Sequence, residues 1–66
     1  MRAKVNDVEV ELAEGGTVED VLRERGYPDS GVAVALDGQL VRRSAWASTD
    51  VPDGARIEVF TAVQGG

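Results

Sequence analysis

Apolar and polar positions alternate along the first twelve residues with one interruption. Met1, Ala3 and Val5 fall on one side of residues 1–5, and Arg2 and Lys4 on the other, which is the period of a half-buried strand. Asn6 and Asp7 both tolerate a positive φ and suit a two-residue hairpin turn. Alternation resumes with Val8, Val10 and Leu12 predicted inward and Glu9 and Glu11 towards water. The two runs read as an antiparallel hairpin.

Glu14-Gly15-Gly16 ends the second strand, and the period then changes. Val18, Val21 and Leu22 recur at helical spacing. Thr17 is the predicted N-cap, with Asp20 as a short-armed capping-box partner and Glu19 and Asp20 at the positive end of the dipole. Arg23 and Arg25 lie near the negative end, and Gly26 supplies a stop before Tyr27-Pro28. A helix over residues 18–25 is too short to persist alone, so it must pack on a sheet.

Past the loop 28–31, Val32 to Leu36 is wholly apolar with large and small residues alternating. Val32, Val34 and Leu36 are predicted against the helix, and Ala33 and Ala35 outward. Asp37-Gly38 is a turn and Gln39-Leu40-Val41 a short return strand. Ser44 is expected to cap one turn carrying Ala45-Trp46-Ala47, with Trp46 covering a core edge and Tyr27 packing in its loop. Val51-Pro52-Asp53-Gly54 turns the chain into a last strand, Arg56 to Val63. The order strand, strand, helix, strand, short strand, strand implies an α+β fold. One helix would cross one face of a mixed sheet of four to five strands, with the first and last strands adjacent and parallel. A domain over 1–63 would carry a tail over 64–66.

In the last strand Ile57 and Val59 are predicted inward, leaving Glu58, Phe60 and Ala62 outward beside Ala33 and Ala35. An aromatic on a solvent face six residues before the end reads as a partner-docking anchor. A register shifted by one would instead bury Phe60 at the core edge.

Composition narrows the chemistry. With 66 residues the chain is one domain near the small end of what folds without disulfides or metals. It has no cysteine, and therefore no disulfide framework or thiolate metal site. It also has no histidine, which removes the usual nucleophile–base pairs and the commonest zinc ligand. The 12 acids are best read as a solvating surface, with Glu19, Asp20 and Glu24 on a water-facing helix side and not in an acid–base pair. Neither catalysis by the chain itself nor a bound cofactor or metal is expected. The net charge of −5 argues against nucleic acid, and Arg42-Arg43 is too short a basic run to reverse that. No apolar run is long enough to span a membrane, and Met1-Arg2-Ala3-Lys4 leads into no signal-peptide core, so a cytoplasmic location is expected. An acidic chain is steered most readily to a partner with a basic docking face.

Several short stretches, taken together and in order, resemble a β-grasp, ubiquitin-like family, and more narrowly the bacterial sulfur carriers of thiamin thiazole synthesis. They are Val5-Asn6-Asp7, Gly16-Thr17-Val18, Val34-Ala35-Leu36-Asp37-Gly38, Leu40-Val41-Arg42-Arg43-Ser44-Ala45-Trp46, Asp53-Gly54 and Gly65-Gly66. The resemblance covers the whole chain. It departs from the family pattern at Arg42, where Pro is common, and at Asn6-Asp7, where Asn-Gly is common. It implies a carrier whose Gly66 carboxylate is adenylated by a partner enzyme with ATP and Mg²⁺. A persulfide donor would convert it to a thiocarboxylate, and a thiazole synthase would receive the sulfur.

The residues suit that chemistry. A terminal carboxyl has a pKa of about 3.3–3.7, so at neutral pH it is an anion and a poor electrophile until an oxygen becomes a leaving group. Gly66 has no side chain to crowd the acyl carbon, and Gly65 and Gln64 form a slim lead that can thread a partner's active site. Three extended residues reach about 10 Å. Three alternatives remain open at this level. They are a carrier for molybdopterin or another metabolite, a protein modifier joined to lysines through Gly66, and a passive adaptor whose tail does nothing.

Overall fold

The computed structural model describes residues 1–28 and 30–61. Five strands form one mixed sheet in the order β2-β1-β5-β3-β4. They are β1 (Arg2–Val5), β2 (Val8–Glu11), β3 (Val32–Leu36), β4 (Gln39–Val41) and β5 (Ala55–Thr61). One helix, α1 (Val18–Glu24), and a 3-10 segment, Arg43–Ser48, complete the fold. The first and last strands are adjacent and parallel, with Ala3 opposite Ala55 and Val5 opposite Ile57. The expected topology is therefore present, with β5 at the centre of the sheet.

Turn chemistry sets both hairpin registers. Asn6 and Asp7 take φ values of 51° and 69°, so Val5 and Val8 face each other across a two-residue turn. Asp37 at 49° and Gly38 at 86° do the same between β3 and β4. In each pair a short polar side chain or a glycine tolerates the left-handed backbone.

The helix follows its cap. Thr17 Oγ1 accepts from Asp20 N at 3.3 Å and Asp20 Oδ2 accepts from Thr17 N at 3.0 Å, a reciprocal capping box. A further first-turn amide, Val18 N, donates to Thr49 O at 2.9 Å, which ties the helix start to the segment after the 3-10 turn. Gly26 at φ 83° ends the helix as expected. Its stripe of Val18, Val21 and Leu22 joins Ala3, Val5, Val10, Val34, Ile57 and Val59 in the core on one face of the sheet. Trp46 is 4% exposed, and its indole N–H donates to Val41 O at 3.0 Å, so it seals a core edge.

Three expectations need correction. Val8 shares the inner face with its partner Val5 but is 56% exposed and not buried. It sits beside the hairpin turn on an edge strand, where no further strand lies alongside to cover it. Ser44 does not cap the 3-10 segment: the N-cap is Arg42, without a side-chain bond, and Ser44 lies inside the segment. Extended backbone at Arg42 (ψ 152°) runs straight from β4 into the turn, which starts before a serine cap could act. The last strand begins one residue early, at Ala55, because that residue pairs with Ala3. Its expected end at Val63, and with it the 63/64 domain boundary, lies outside the described residues.

Candidate functional site

The site is best built from β5, the strand that leads towards the Gly-Gly end. Burial alternates along it from Ala55 to Phe60. Ile57 is fully buried and Val59 7% exposed, whereas Phe60 is 55% exposed on the other face. The assignments of Ile57 and Val59 inward and of Glu58 and Phe60 outward hold, and the shifted register that would bury Phe60 does not occur. Phe60 stands opposite Ala33 and Glu58 opposite Ala35, as the sequence suggests. Glu58 is half-buried in this row.

The outer face divides into two halves. On the β2–β1 side it is charged, with Arg2 against Glu9 at 3.7 Å and Glu11 at 3.3 Å, and Arg56 against Asp7 at 3.6 Å. These pairs are exposed and individually worth little, about 0–1 kcal/mol, but they make this half a hydrated surface. On the β3–β4 side it is apolar. Phe60, Ala33, Ala35 and Leu40 are contiguous, because Ala35 faces Glu58 on one side and Leu40 on the other. Leu40 is 75% exposed. A shallow hollow of about 340 Å³, bordered by Gly31, Ala33, Phe60 and Thr61, lies at the end of β5. A larger concavity of about 730 Å³, between α1 and the 3-10 segment, touches none of these residues.

Of the residues singled out from sequence, Phe60 and Glu58 come together on this face. Ala62, Gln64, Gly65 and Gly66 lie outside the described residues. Sequence reasoning missed Leu40, whose outward direction follows from its pairing with Ala35, a register that a three-residue strand does not reveal. It also missed the second role of Asn6. The Asn6 side chain accepts from Val59 N at 2.8 Å and donates to Val59 O at 3.3 Å.

The Asp20 carboxyl is structural and lies on α1. It is held below the usual value by the Thr17 backbone N–H first, then by the Thr17 hydroxyl, with Arg23 adding a smaller pull.

A five-stranded mixed sheet in the order β2-β1-β5-β3-β4, crossed by one helix, defines a β-grasp module. The family model of the ThiS family matches residues 1–66. The chain is 35% identical to the sulfur carrier protein ThiS of Escherichia coli (strain K12) over 66 residues, all of both chains. It resembles the crystal structure of a thiamine biosynthesis protein (ThiS) from Geobacter metallireducens, with a TM-score of 0.84, 29% identity and complete coverage of both chains. The solution structure of a thiamine biosynthesis protein from that organism gives a TM-score of 0.81 at 30% identity, covering all of this chain and 88% of the other. The chain belongs to the ThiS family, the sulfur carriers of thiamine biosynthesis.

Proposed function

We propose that the carried sulfur resides on Gly66, and that the apolar half-face beside β5 docks the chain on the enzymes that load and unload it. The observation that carries this reading is the placement of Phe60. It lies exposed on the central strand, six residues before Gly66 in the sequence. A partner that grips Phe60, Ala33 and Leu40 holds a surface close to where the tail begins. From Thr61 the five residues to Gly66 span at most about 17–18 Å, enough to enter an active site next to the docking surface.

A carboxylate oxygen of Gly66 attacks the α-phosphorus of ATP in the partner's site and pyrophosphate leaves, with Mg²⁺ neutralising phosphate charge there. A persulfide sulfur of the donor then attacks the acyl carbon, and AMP departs with the former carboxylate oxygen. A thiol then attacks the donor's sulfur in the resulting acyl disulfide, forming a disulfide with the donor and expelling a thiocarboxylate that a thiazole synthase consumes. The chain's own residues supply the unhindered carbon of Gly66, the slim lead of Gly65 and Gln64, and the docking contacts of Phe60, Glu58 and Ala62. In this scheme the chain is a substrate of the adenylating enzyme and holds no cofactor of its own. Among the described residues no helix is long and apolar enough to cross a membrane, and we place the carrier in the cytoplasm with its enzymes.

ATP–pyrophosphate exchange with the cognate adenylating enzyme tests the scheme. The full chain should support exchange, and a chain lacking Gly65-Gly66 should not. Exchange by the shortened chain would defeat it, and accumulation of lysine conjugates in place of a thiocarboxylate would replace the carrier with a modifier.

A further inference from the structure

The parallel pairing of β1 with β5 ends early. Val5 is the last β1 residue, and the chain then turns away at Asn6, whose positive φ swings its own carbonyl out of line. The Asn6 backbone still donates to Ile57 O at 2.9 Å. In a regular parallel ladder the next bond would run from Val59 N to the Asn6 carbonyl. Here the Asn6 side-chain carbonyl takes that bond at 2.8 Å, and the same carboxamide donates to Val59 O at 3.3 Å. A carboxamide carries the same donor and acceptor as a peptide group, so it serves as one more peptide unit of β1. The bonding atoms are partly buried although Asn6 as a residue is exposed. Asn6 Nδ2 also lies 3.3 Å from the Tyr27 hydroxyl, which links the clamp to the segment after α1.

On its other side β5 is held by β3 as far as Thr61, which faces Val32. Without the Asn6 carboxamide Val59, one residue before Phe60, would lose its partner on the β1-facing edge of β5. The strand end could then twist about the β3 pairing alone. We propose that Asn6 is a positioning residue for sulfur loading: its carboxamide extends β1 by one peptide unit, clamps Val59, and so fixes the direction in which β5 delivers the tail. This role rests on the reading that Gly66 is the group delivered. It separates two functions on one strand, with Phe60 governing docking and Asn6 governing aim.

Asn6→Gly is the informative variant, because glycine accepts the positive φ of the turn and removes only the carboxamide. Three quantities are compared with wild type: hydrogen exchange at the Val59 amide, binding to the adenylating enzyme without ATP, and the single-turnover rate of adenylate formation. The Val59 amide should exchange faster by about tenfold or more while core amides such as Ile57 keep their protection. Binding should stay within about twofold, and the adenylation rate should fall by about tenfold to a hundredfold, as expected of a misaimed reacting group. Asn6→Asp, which can accept from Val59 N but cannot donate to Val59 O, should fall between the two and provides the test if Asn6→Gly does not fold. Unchanged Val59 exchange would overturn the clamp, and an unchanged adenylation rate in the presence of normal binding would overturn the aiming role. If the wild-type chain formed no adenylate, the delivery reading would fail and the aiming role with it, whatever the exchange data showed.

Discussion

Ala33 lies directly across from Phe60 on the outer face, and beside its single methyl Phe60 remains 55% exposed. A larger neighbour would cover the ring, and a smaller ring would leave little to grip. Phe60→Ala should therefore raise the KM for the chain in adenylation by about tenfold or more, the scale of an aromatic hot spot. Its cost in stability should stay under about 1 kcal/mol, because the ring is largely outside the core. Steady-state kinetics and thermal unfolding of the same preparation check both halves. Ala33→Glu, which places a charge beside the ring, should raise KM in the same direction.

Ile57, three residues earlier on β5, is the opposite case. It is fully buried between the sheet and α1. Ile57→Ala should cost about 2–5 kcal/mol and Ile57→Val about 0.5–1.5 kcal/mol. For so small a domain the first value is a large share of a total that is commonly about 5–15 kcal/mol. Urea unfolding measures the difference, and Ile57→Val should retain normal adenylation once folded.

The capping box contributes a pH dependence. The Asp20 carboxyl is held below its ordinary value, so the folded state favours the charged form. The stabilisation is fully present above the unfolded value of about 3.9 and is lost as pH falls through the lower folded value. Asp20→Asn keeps an acceptor for Thr17 N but removes the charge. Its stability deficit relative to wild type should be constant from neutral pH down to about pH 5 and shrink below about pH 4. A deficit unchanged in acid would contradict the assignment. Thr17→Ala should cost about 1 kcal/mol at neutral pH.

Trp46 offers a probe that needs no label, since it is the chain's one tryptophan. Its buried indole should emit at short wavelength in the folded state and shift to the red on unfolding, together with the loss of helical signal. Trp46→Phe retains most of the bulk but leaves Val41 O without its 3.0 Å donor. It should destabilise by about 1–3 kcal/mol in urea titrations.

Much of this architecture is legible in the sequence because local rules and tertiary demands agree. Asn6-Asp7 and Asp37-Gly38 can take the backbone their turns require, and Thr17 with Asp20 announces the helix start. Alternation from Ala55 to Phe60 is enough to separate Phe60 from Ile57 and Val59. The departures occur where position in the sheet matters more than period. Val8 has the spacing of a core residue, but an edge strand beside a turn leaves it open. Leu40 belongs to a strand too short to show a period, and its outward direction is set by Ala35. The Asn6 clamp could not be read at all, because its partner Val59 lies 53 residues away.

The central claim concerns Gly66, and one measurement addresses it directly. The chain is incubated with its adenylating enzyme, ATP, a persulfide donor and a thiol reductant, and the product is weighed intact and then fragmented. The expected result is a mass gain equal to one oxygen replaced by one sulfur, located in the C-terminal fragment that contains Gly66. It should be absent without ATP and absent from a chain lacking Gly65-Gly66. Sulfur gained elsewhere in the chain, or no gain under conditions in which the enzyme loads another carrier, would contradict the account.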